Sequence, residues 1–286
     1  MVHVQDHSIS LIEDNTIKQG MARSFYGQHG YAVLQKVQEY GDVLTLPEFM
    51  QALYLSSFDD SLTGVPFTVR TEEIIGKSPQ GNPVAVVVHG AGLLNPRRIH
   101  DSIIIKPVME GEVPDYGLTR TKSGRGQFAL PLYEAEIHAL LEGYILPIFQ
   151  YSDFQPGRSN LPREYAVVRD FHPETEFPTE KYFANDYYSL RELEVIPRVI
   201  SLAGGAENLE HCFDLLTLYH GLKKMRYSHP LHDLDPEQPQ GRFIEVHGIG
   251  NLFFSHMEMD GSARFLAVKR EELEEKIDKD VTLEVL

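Results

Sequence analysis

The sequence predicts an α+β fold, with a mixed or antiparallel sheet as its core and helical segments flanking it on the N- and C-terminal sides. Three observations predict it. Helical periodicity governs the early part and the last third, short apolar runs of strand length fill the middle, and strands and helices do not alternate as they would in a doubly wound sheet. The chain divides accordingly into an N-terminal helical segment (1–64), a mixed β core with a candidate nucleotide pocket (65–175) and a helical segment with a C-terminal hairpin (176–286). The last of these can form one compact unit with the core. At 286 residues, enough apolar surface can be buried to fold without covalent staples.

The first helix places Val33, Leu34, Val37 and Tyr40 on one face and stops at Gly41. A second follows, because Thr45 and Glu48 have capping-box spacing, Pro47 is tolerated in a first turn, and Phe49, Met50, Leu53 and Tyr54 supply an apolar side. From Val65 the pattern turns extended: residues 66–70 and 84–88 read as strands joined by a polar turn at 76–82. The run of Val84 to Val88 is apolar at every position, as expected of a strand buried on both faces.

Further extended runs are expected at 103–105, 145–150 and 165–168, with a helix at 132–142. Ser189 and Glu192 form another capping box, which begins a helix that Pro197 kinks or ends and that Gly204 and Gly205 break. Residues 206–220 then carry Leu209, Phe213 and Leu216 at helical spacing. Residues 243–246 and 264–268 read as a hairpin-like pair, and 270–280 as a charged helix with Glu272–Lys276 and Glu275–Lys279 spacing.

Charge narrows the partners. The 42 acidic and 26 basic residues leave a net charge of −16, which opposes phosphate backbones and anionic lipid surfaces, so nucleic acid and membrane are disfavoured. One basic cluster, Arg120, Lys122 and Arg125, suits a small anion. The single cysteine, Cys212, fits a reducing compartment and reads as a small buried hydrophobe. The first residues lack a signal peptide's basic start and apolar run, and no later run is long enough to span a bilayer; a cytoplasmic protein is expected.

The segment with most chemical promise starts where His89 leaves the apolar strand. Gly90 and Gly92 allow backbone to approach a ligand closely, although Gly-x-Gly without a third glycine and a downstream acid is no dinucleotide fingerprint. The alternative is a tight turn whose histidine is satisfied by backbone. Val88 to Leu94 also echoes Val246 to Leu252 through a shared His-Gly-x-Gly.

The order of motifs after His89 carries a resemblance. His89-Gly90, then Asn95 and Ile99, is followed by Gly124, Gly126, Phe128 and Ala129, by a helix, by a strand, and by Glu164, Tyr165 and Val167. This order over about residues 66–170 resembles the catalytic core of ADP-ribosyltransferases of the poly(ADP-ribose) polymerase type. The resemblance implies cleavage of the nicotinamide–ribose bond of NAD and transfer of ADP-ribose to an unknown acceptor. In it, His89 holds the ribose, the Gly90 backbone pairs with the carboxamide, Phe128 stacks on the nicotinamide, and Glu164 stabilises the ribosyl cation, with Asn95 and Arg125 on the cofactor-binding side. A carboxylate is a chemically suitable partner for an oxocarbenium-like transition state, and a flat ring for the leaving group. Ala91 departs from the family's usual Ser or Thr, and Phe128 from its tyrosine.

Two alternatives stand beside it. His220, His229, His232 and Asp233 form a candidate divalent-metal cluster around a Pro- and Asp-rich loop, suited to zinc or iron but matching no named motif. The other is a non-enzymatic binding or assembly protein in which these glycines only make turns. No Gly-x-Ser-x-Gly elbow supports serine chemistry.

Overall fold

The computed structural model describes residues 12–14, 22–55, 66–104, 119–120, 127–154, 161–172, 187–221, 223–226, 235–247, 253–256 and 263–269. In chain order the first half contains β1 (Ile12–Asp14), β2 (Ala22–Gly27), α1 (Gly30–Tyr40), β3 (Asp42–Val43), α2 (Leu46–Leu55), β4 (Pro66–Lys77), β5 (Pro83–His89), α3 (Pro96–Ile104), β6 (Thr119–Arg120), β7 (Gln127–Pro131) and α4 (Glu134–Leu141). The second half contains β8 (Ile148–Gln150), a 3-10 turn (Tyr151–Phe154), β9 (Tyr165–Asp170), β10 (Tyr187–Tyr188), α5 (Leu190–Leu193), α6 (Pro197–Ala203), α7 (Ala206–His220), β11 (Met225–Arg226), β12 (Gln240–His247), β13 (Phe253–His256) and β14 (Ala263–Val268). The α+β expectation with a mixed sheet holds.

The long strand β4 organises the sheet. Along one edge it pairs antiparallel with β12, from Pro66 opposite His247 to Ile75 opposite Gln240. Along the other it meets β14 in parallel where Thr68 faces Phe265, then β5 in antiparallel register from Thr71 opposite His89 to Lys77 opposite Pro83. From β14 the sheet continues to β2, β1 and β3. From β5 it continues to β9 and then to β8, which runs parallel to β9. From β12 it continues to β13 and β7, and β6 adds to β7. All three sequence segments therefore contribute strands to one sheet. Because Phe243–Val246 and Ala263–Val268 are separated by β4, they do not form the expected hairpin.

Side-chain alternation along β4 sorts two cores. Phe67 and Val69 point with Val87, Tyr165, Val167, Ile244 and Val246 into a layer covered by α2, α5, α6 and α7. Ile74 points the other way with Val84, Val86, Val88, Ala166 and Val168 into a layer covered by α1, α3 and α4. The helices of the two flanking segments are thus shared between the sheet faces: α2 packs with α5, α6 and α7 on one, and α1 with α3 and α4 on the other. The apolar run in β5 is buried on both faces, as expected.

Local signals account for the helix ends. Glu48 Oε2 accepts from the Thr45 N–H at 2.8 Å and its hydroxyl at 3.0 Å, and Glu192 does the same for Ser189 at 2.8 and 2.7 Å. Pro197 opens α6, and Gly204 ends it in the left-handed conformation at φ 74°. Residues 103–104 belong to α3 and not to a strand: the Asn95 side chain accepts from the Arg98 N–H at 2.9 Å and Pro96 opens the helix, so start signals outweigh the β-branched run. The charged stretch 270–280 lies outside the described residues. Among the described residues, no helix is long and apolar enough to cross a membrane.

Candidate functional site

His89 ends β5 with its side chain turned into the protein, where it is 0% exposed. Its Nε2 lies 2.9 Å from the Ser201 carbonyl oxygen, so that nitrogen carries the proton and donates. Its Nδ1, 3.2 Å from Thr71 Oγ1, is left to accept, and the Thr71 hydroxyl itself accepts from the Leu46 N–H at 2.8 Å. One polar chain therefore ties α2, β4, β5 and α6 together. The Tyr165 ring covers the imidazole with centroids 4.7 Å apart. Burial pushes the His89 imidazole down to about 4, against the Ser201 carbonyl, which favours the charged form. A neutral, enclosed histidine with both nitrogens engaged is a strut. The turn-with-satisfied-histidine alternative describes it.

The other expected site residues divide around it. Gly90 has φ 123°, and its N–H donates to the Arg70 carbonyl at 3.0 Å. Glu164 is exposed just ahead of β9 and lies against Gly90, where an added Cβ would come within 2.7 Å of its Cγ. This pair does meet, because β5 and β9 are hydrogen-bonded neighbours. Phe128 does not join them: β7 lies beyond β12 and β4, four strand steps from β9. At about 4.8 Å per step that is roughly 19 Å across the sheet. Asn95 caps α3, its side-chain oxygen accepting from the Arg98 N–H. Arg125 lies outside the described residues.

Of the proposed metal ligands, His229, His232 and Asp233 lie outside the described residues, while His220 is the last residue of α7. Among the described residues, no group of three or more His, Cys, Asp or Glu is placed to hold a metal ion. Cys212 is buried in the α7 core, and burial pushes its thiol up to about 12, consistent with a small inert hydrophobe.

The polar groups that sequence reasoning missed sit in the second half of β4. Glu73 is fully buried on the His89 face, and the Arg198 guanidinium grips it with Nε–Oε1 2.6 Å and Nη2–Oε2 2.9 Å. Arg169 Nη2 stands 3.8 Å from the same Oε1, and Arg242 is the cross-strand neighbour of Glu73 in register. Glu72 points to the opposite face, equally buried. A Thr-Glu-Glu run followed by Ile-Ile gives a weak strand signal, since two acids in succession read as solvated. The pairing of Glu73 with a distant arginine left no local trace.

No protein-family model matches the chain, and no curated protein matches it. A solved structure described as "Accommodation of massive sequence variation in Nanoarchaeota by the C-type lectin fold" is similar to it, with a TM-score of 0.62 and 21% identity over 88% of this chain and all of that one. This likeness overturns the ADP-ribosyltransferase expectation, which rested on the order of short motifs. At that identity the likeness shows the fold alone, and the fold this chain shares is that of the C-type lectins.

Proposed function

We propose that this chain is a non-enzymatic recognition module: a rigid two-faced scaffold that presents variable surface to a binding partner. The observation that carries the reading is the enclosure of His89, the residue best suited to chemistry, whose two nitrogens are used to hold three other elements in place. The similar solved structure adds support from outside, since its fold is described as accommodating massive sequence variation. A scaffold can do that when its polar groups are satisfied within the core and its recognition residues lie on the surface.

The test compares buried and exposed substitutions. Replacing Tyr144, Val195 and Leu218, which are 79%, 72% and 73% exposed, is expected to cost about 0.5 kcal/mol or less at each site. His89→Ala is expected to lower the melting temperature clearly. The reading fails if the wild-type protein shows a turnover that His89→Ala abolishes without disturbing the fold.

A further inference from the structure

We draw no further inference here: the strongest candidate, the cluster of buried guanidinium groups that Arg169, Arg198 and Arg242 bring to Glu73 on the His89 face of the sheet, belongs to the ion network already described between α6 and β4.

Discussion

Arg198, at the start of α6, closes a two-point ion pair on Glu73 in the middle of β4, with both side chains almost fully buried. Such a pair is expensive to leave half made. Arg198→Ala is expected to cost about 3–5 kcal/mol, because it takes the two-point partner from a fully buried carboxylate. Replacing Glu73 and Arg198 together by apolar residues of similar volume should cost much less. Urea denaturation of the two single variants and the double variant measures the difference.

His89 and Glu72 shape the dependence of stability on pH with opposite signs. His89 is depressed from 6.5 to about 4 in the fold, so its contribution is present above pH 6.5 and is lost as pH falls toward 4. Glu72 is raised from 4.5 to about 7, so its contribution is present below pH 4.5 and is lost as pH rises through 7. Each shift amounts to roughly 3 kcal/mol at most. Between pH 5 and pH 7 the two offset each other in the wild type. Relative to that baseline, Glu72→Gln is expected to gain stability with rising pH and His89→Gln to lose it. Urea midpoints at the two pH values check both slopes.

Gly204 sits in a close seam between α6, α2 and β9. Its φ is 74°, and an added Cβ would stand 2.6 Å from Pro47 Cγ and 2.9 Å from the Tyr165 hydroxyl. Gly204→Ala combines left-handed strain with overlap against a proline ring, and is expected to cost about 2–3 kcal/mol, read as a lowered melting temperature.

Glu48 has two structural duties, and its removal separates them from simple helix capping. Besides the Thr45 cap, its Oε1 accepts from Arg163 Nε at 2.8 Å, while Arg163 also reaches Asp42 at 2.8 Å. Thr45→Ala should cost about 1 kcal/mol. Glu48→Ala should cost more, since it also breaks the contact by which Arg163 ties α2 to the approach to β9. Thermal denaturation of both variants ranks them.

What could be read in advance was what depends on near neighbours in the chain. The capping boxes at Thr45 and Ser189, the stop at Gly204 and the doubly buried β5 are all set by residues within a few positions, whereas Pro197, read as the end or kink of a helix, opens one. What could not be read depends on partners far along the chain. Glu72 and Glu73 look solvated until a loop amide and Arg198 are brought to them, and Ile103 looks extended until Asn95 caps a helix through it. The site reading failed for the same reason: His89 and Glu164 were placed by motif order, but the sheet turns the ring of the first inward and leaves the second at the surface.

The position of β4 also dictates an order of assembly. Where β5 does not pair with it, its hydrogen-bonding edges are completed by β12 and β14, which belong to residues 240–268, far along the sequence from β4. During synthesis, β4 and β5 emerge as an apolar ribbon with β12 still to be made. Contacts of such long sequence separation slow folding and prolong the exposure of unpaired strand edges. The nascent chain is therefore most vulnerable to aggregation through β4 and β5 until residues 240–268 have been made and reach them.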